Sequence, residues 1–306
     1  MAIIEEYKIQ PIFSDTDYIA QAHILRDKIM ADRANLPTRV ENDEDKWACR
    51  NFFRNIYTYW YLVLQHIYMQ ALVASISSNT ENEQYGWFIY PRTGRIELAD
   101  GYKYKTVDSY NTAVYTKYFN KYFGFVLYDN VINGYYDEAK LCYQNKRYYS
   151  CVCALFPIIE SYTRKLSDYS DAKDGKFTQF KALTKILNNI PKWSGIPSVS
   201  INRFIDEYTK IKNFMLENYY KQSTQDDAEP EFICRNRLLH GIITRQVSDS
   251  DCLKLFLILR SFVYLDKVFS VAYKLIKYNV YALKLEDSLC VGSQVDDSMY
   301  KEFTKD

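Results

Sequence analysis

Residues 248–277 read "SDSDCLKLFLILRSFVYLDKVFSVAYKLIK". Ser248, Asp249 and Asp251 are helix-capping residue types, and the run behind them carries apolar residues around most of a helical circumference. A helix of that kind is buried on more than one side, in a core or in a subunit interface. The rest of the chain agrees with a mainly α fold. Only 9 glycines and 7 prolines occur in 306 residues, too few for a loop-rich all-β protein.

Working back from this run, helical patterns cover roughly 230–282 (with a break around 242–250), 199–221, 177–190, 147–167 and 135–144. Polar loops at 167–176, 192–198 and 221–231 separate several of them. Pro157, inside "CALFPIIESYTRKL", predicts a kink in its helix. Nearer the N-terminus, Ser14 and Asp15 open a helix through "YIAQAHILRDKIMADRAN", and a second long helix starts at about Asp45. The one β signal is "GWFIYPRTGRIELADG" (86–101), two short strands around a Pro-Arg-Thr-Gly turn. The expected organisation is therefore an N-terminal helical region with one short β-hairpin over 1–130, a helical bundle over 131–285, and a weakly structured tail over 286–306.

Charge excludes one class of partner recognition. With 39 Lys+Arg against 38 Asp+Glu the formal charge is +1, so no global basic field exists. Any nucleic-acid contact must rest on a local patch. Seven cysteines without a CxxC pair read as free thiols in a reducing cytosol rather than as disulfides. "CVC" at 151–153 has no second pair to complete a metal site. "MAIIEEYKIQ" lacks the basic start and apolar run of a signal peptide. Residues 55–80 carry no formal charge and are long enough to span a bilayer. Gln65, His66 and Gln70 in the middle make a buried helix the better reading. A cytoplasmic protein without a membrane span is expected.

The chemistry-bearing stretch is "CRNRLLHG" at 234–241. With Pro230 as a first helical residue, the motif would occupy the second and third turns. Asn236 and His240 then share a face, whereas Arg235 stands about 140° from His240. The two make sense together only if they reach into a space shared with a second surface. Leu238 and Leu239 would anchor the helix, and Gly241 would permit close approach or a break. Such a set suits phosphodiester cleavage. An imidazole can move a proton to or from a ribose oxygen, and a guanidinium can stabilise the added charge on a phosphorane. Asn236 can hold either the ring or the phosphate. The same spacing equally fits a structural histidine on a capped helix.

"RNRLLHG" followed by a capped apolar helix resembles the HEPN superfamily, whose ribonucleases carry Arg, a polar residue, three more residues and His. The upstream "YYSCVCALFPIIESYTRKL" is similar to the partner helix of many such proteins, with Glu160 mid-helix and Arg164 one turn later. The likeness covers roughly 135–282, and none is found for 1–130. It implies a HEPN-like all-α bundle that forms a homodimer, with two motifs in one composite cleft. It also implies metal-independent endoribonuclease activity without a cofactor, in which the ribose 2′-hydroxyl attacks and leaves a cyclic phosphate. His240 would transfer protons, Arg235 would face the phosphorane, and Asn236 would position them. Glu160 and Arg164 would support the site from behind. Arg237 would be a further supporting residue, although it matches no family position.

The resemblance implies RNA as substrate and a toxin or anti-phage effector role, with an antitoxin or a phage-derived trigger as regulator. Residues 1–130 would sense, bind a partner or extend the dimer. The acidic loop 221–231, with Asp226, Asp227, Glu229 and Glu231, is a solvated connector or a shield over the cleft. The competing reading is a non-catalytic helical module used in interaction or nucleotide binding.

Overall fold

The computed structural model describes residues 15–76, 80–89, 104–167, 198–221, 231–242, 245–288, 294–295 and 298–304. Most of the expected hairpin, all of the helix expected over 177–190 and residues 222–230 of the acidic loop lie outside them. Along the described residues the helices are α1 (Asp15–Asp32), α2 (Asp43–Ile76), α3 (Thr80–Gln84), α4 (Val107–Lys117), α5 (Phe119–Phe123) and α6 (Asn130–Gln144). They continue with α7 (Tyr148–Ser167), α8 (Ser198–Phe214) followed by a π turn (Met215–Tyr219), α9 (Arg235–Leu239), α10 (Asp249–Ser288) and α11 (Ser298–Phe303). The chain is mainly α. Among the described residues the only β pairing is an isolated antiparallel bridge between Arg39 and Gln294.

Several helix starts follow directly from local chemistry. Asn42 accepts the Asp45 N–H at 2.9 Å while Asp45 accepts the Glu41 N–H at 2.8 Å, which opens α2. Thr106 and Ser109 form a reciprocal capping box on α4. Asp129 accepts from the Val131 and Ile132 N–H groups at the start of α6. Ser248 and Asp251 exchange bonds of the same kind at α10, where Arg245 also clamps Asp251 through both terminal nitrogens at 2.9 and 2.7 Å. α7 runs unbroken through Pro157, whose ring is exposed. The missing N–H costs only one intrahelical bond there.

The chain forms two compact units, 1–69 with 270–306, and 70–269; their boundaries fall inside α2 and α10. In the first, Phe52, Phe53, Ile56 and Trp60 of α2 are buried. The tail, expected to be weakly structured, contributes α11 to this core. Phe303 is buried there, edge-on to Tyr59 at 5.1 Å. Tyr300 of the same helix adds contacts to the Phe52 ring at 5.7 Å and the Arg33 guanidinium at 5.2 Å.

In the second unit the apolar run from Ser248 to Phe269 is the spine. Every residue from 251 to 259 is buried. Phe256 packs against Phe119, Phe123, Tyr136 and Tyr143, with ring centroids 5.1–6.0 Å away. Apolar residues all round this part of α10 are thus satisfied inside the chain. α6 and α7 form a helical hairpin on the same core through Tyr136, Cys142, Cys151, Leu155 and Ile159. No helix among the described residues is long and apolar enough to cross a membrane, and Gln65 of α2 is buried.

Candidate active site

The motif lies on α9, and α9 is shorter than its sequence suggests. Residues 231–234 are not helical, Cys234 has extended dihedrals (φ −79°, ψ 122°), and Arg235 opens the helix; Pro230, expected as its first residue, lies outside the described residues. Phe232, Ile233 and Cys234 are buried in succession. Phe232 meets Phe214 edge-on at 4.8 Å and Tyr219 at 6.2 Å. The Cys234 thiol donates to the Lys221 carbonyl at 3.3 Å, so this cysteine packs.

The other end is equally defined. His240 is the last half-helical residue (φ −92°, ψ 3°) and Gly241 follows at φ +69°. The Gly241 N–H reaches the Leu238 carbonyl at 3.2 Å and the Ile242 N–H reaches the Arg237 carbonyl at 2.9 Å. These two bonds are a Schellman termination, in which glycine takes the left-handed position. Gly241 therefore serves as a helix stop.

Arg235 turns inward to α7. Its Nε forms an ion pair with Oε1 of Glu160, which is 9% exposed, while the Arg235 side chain keeps 30% exposure. Arg164 approaches the other Glu160 oxygen at 3.7 Å from the solvent side. The Arg235 guanidinium lies 5.9 Å from the centroid of Tyr220, a residue that sequence reasoning did not single out. Burial pushes the Tyr220 phenol up, and the adjacent Glu160 carboxylate adds to this, so the hydroxyl stays protonated. Sequence gave no cue for Tyr220, because it comes from the end of α8's π turn.

Asn236 donates to the Lys221 carbonyl at 3.4 Å and faces Arg235 NH1 at 3.5 Å. Its amide tethers α9 to residue 221 and braces the guanidinium, and it does not reach the imidazole through any described contact. Arg237 and Leu238 are buried, while Leu239, expected to anchor the helix, is 51% exposed. His240 is exposed, and its backbone N–H donates to the Asn236 carbonyl at 3.1 Å. Of the expected residues, Glu160, Arg164, Arg235 and Asn236 come together in one cluster. Arg237 lies inside the chain and His240 stands at the solvent end of the same helix.

Elsewhere in this unit a cleft of about 660 Å³ is lined by Thr106, Asp108, Thr112, Thr116, Ser248 and Ser250 among others, and by no motif residue. Asp108 beside it accepts from Trp87 Nε1 at 2.9 Å and Ser250 at 2.8 Å, and pairs with buried Lys254 at 2.6 Å. Burial alone would raise the Asp108 carboxyl; the pull of Lys254 and the two hydrogen bonds outweighs it and holds the group below its ordinary range. The described cysteines are all free. Among the described residues no group of three or more His, Cys, Asp or Glu side chains is placed to hold a metal ion. Compared with family models, with curated proteins and with solved structures, the chain matches none.

Proposed function

We infer that the chain is an endoribonuclease of the HEPN type that cleaves RNA by 2′-hydroxyl attack. One observation carries the reading: Glu160 of α7 takes the Nε of Arg235 and Asn236 faces NH1, while the side chain keeps 30% exposure through which a phosphate reaches the guanidinium. A carboxylate on the Nε side orients the guanidinium. His240, exposed one helix length away, is available for proton transfer.

On this reading the O2′–P bond forms as His240 takes the 2′-hydroxyl proton. The P–O5′ bond then breaks as the partner's His240 returns a proton to O5′ across a homodimer. The products are a 2′,3′-cyclic phosphate and a 5′-hydroxyl. Arg235 stabilises the phosphorane, Asn236 and Glu160 keep it aimed, and Arg164 adds positive charge at the rim. The chemistry needs no metal or cofactor. By the same resemblance the protein acts in the cytoplasm as a toxin or anti-phage effector, regulated by an antitoxin or a phage-derived trigger.

The test is direct. Purified protein incubated with RNA in EDTA is expected to leave 2′,3′-cyclic phosphate ends, and His240→Ala is expected to abolish both cleavage and growth arrest. Equal toxicity of the two proteins would end the reading. The competing interaction module draws support from Gly241 and Asn236, whose described contacts end and tether α9. Under that reading RNA survives, and His240→Ala changes nothing.

A further inference from the structure

The turn between α6 and α7 stands beside the solvent end of α9. The Tyr149 hydroxyl donates to the Leu238 carbonyl at 3.4 Å, which places the first turn of α7 two residues from His240. Tyr149 is nevertheless 49% exposed, and Leu239 next to His240 is 51% exposed. An aromatic ring and an aliphatic side chain thus stay in water at the end of α9 that carries His240.

The turn itself is unusual. α6 ends in the same Schellman pattern as α9: the Lys146 N–H reaches the Tyr143 carbonyl at 2.9 Å and the Arg147 N–H reaches the Cys142 carbonyl at 2.8 Å. The left-handed position here holds Lys146, at φ 58°, where α9 uses glycine. A lysine pays a steric penalty in that conformation that glycine avoids. Lys146 and Arg147 are both exposed, and neither forms an ion pair among the described residues. Exposed cations beside an exposed ring are the elements that hold a single nucleic-acid strand, with phosphates on the cations and a base on the ring. A protein interface fits less well, because lysine is depleted from such surfaces.

We propose that Tyr149 stacks a base of single-stranded RNA beside the bond on which His240 acts, and that Lys146 and Arg147 grip phosphates of the same strand. This rests on the ribonuclease reading and adds a substrate preference to it. Bases in a duplex are already stacked on each other and cannot lie on the Tyr149 ring.

The probe is a short fluorescein-labelled 2′-O-methyl oligouridine, which lacks the attacking hydroxyl, titrated into the full chain and followed by anisotropy. Tyr149→Ala is expected to weaken binding about fivefold to 150-fold. Tyr149→Phe, which keeps the ring and loses the bond to Leu238, is expected to bind like the unsubstituted chain. Lys146→Gly is expected to lower the slope of log K against log salt by about 0.7 while the melting temperature holds or rises. If Tyr149→Ala and Lys146→Gly bind normally while the unsubstituted chain cleaves RNA, the strand site is wrong and the ribonuclease reading stands. Loss of self-association on Tyr149→Ala with oligonucleotide binding intact would make the surface an interface between copies and overturn the proposal. If binding falls as expected but no RNA is cut, the ribonuclease reading fails and the strand-binding surface remains.

Discussion

Arg235 opens a five-residue helix and His240 follows its last residue, and the two are held in opposite ways. The Arg235 end is enclosed: Glu160, Asn236 and Tyr220 surround the guanidinium, and Cys234 and Asn236 both bond the Lys221 carbonyl. The His240 end is open: the ring is exposed, a glycine stops the helix, and Tyr149 and Leu239 stand in water next to it. A buried ion pair is expensive to disturb, whereas an exposed imidazole is cheap to change. The same motif therefore contains one residue whose loss should damage structure and chemistry together and one whose loss should damage chemistry alone.

The largest expected effect tests the open end. His240→Ala should lower the cleavage rate about 10²- to 10⁴-fold and change unfolding free energy by no more than about 0.5 kcal/mol. A large drop in stability, measured by urea titration, would erase the contrast between the two ends. At the enclosed end, Glu160→Gln leaves Arg235 without its anion, and a loss of about 2–3 kcal/mol is expected, discounted for the exposure of the arginine. Its activity should fall through the maximal rate more than through KM if Glu160 aims Arg235 at the phosphorane.

Asp108 and Lys254 provide a control pair that is not part of the motif. Asp108→Asn should cost about 1–3 kcal/mol by stranding a buried ammonium, less than a fully buried pair because Asp108 is 44% exposed. The Asp108 carboxyl lies below its ordinary range in the folded chain. Its contribution is therefore complete above an unfolded pKa of about 3.9 and is lost as pH falls through the lower folded value. Acid titration of Asp108→Asn should lack that part of the low-pH loss. The smallest effect concerns the helix stop: Gly241→Ala forces a side chain into the left-handed region and should cost about 1 kcal/mol. Because a Cβ at this position meets no atom within 4 Å, the cost is conformational and not a clash.

Much of the helical scaffold was legible because its signals are local. α1 and α2 begin within about two residues of where capping residues place them. α7 follows its apolar spacing through Pro157, and the Ser248–Asp251 cap opens α10 as its sequence suggests. The start of α9 was not legible. Pro230 favours a helix start, but residues 231–234 are not helical: Phe232, Ile233 and Cys234 are buried, with Phe232 against Phe214, which lies 18 positions away. The pairing of Glu160 with Arg235 was expected only as general support behind the site; its atoms and its aromatic neighbour Tyr220 came from the fold. The same holds for α11, whose tail-like composition hides the two aromatics, Tyr300 and Phe303, that dock it.

The sequence by itself determined that this is a mainly helical chain, where many of its helices begin, and which residue types could move a proton and bind a phosphate. Periodicity and capping act over one or two turns, so they can be read from neighbouring letters. Only the tertiary structure decided that Arg235 faces inward while His240 faces solvent, that Glu160 and Tyr220 enclose the guanidinium, and that the Lys146 turn and Tyr149 lie beside the histidine. Those relations join residues up to 89 positions apart, as between Tyr149 and Leu238. They depend on burial and charge pairing across elements, which one helix's periodicity does not encode.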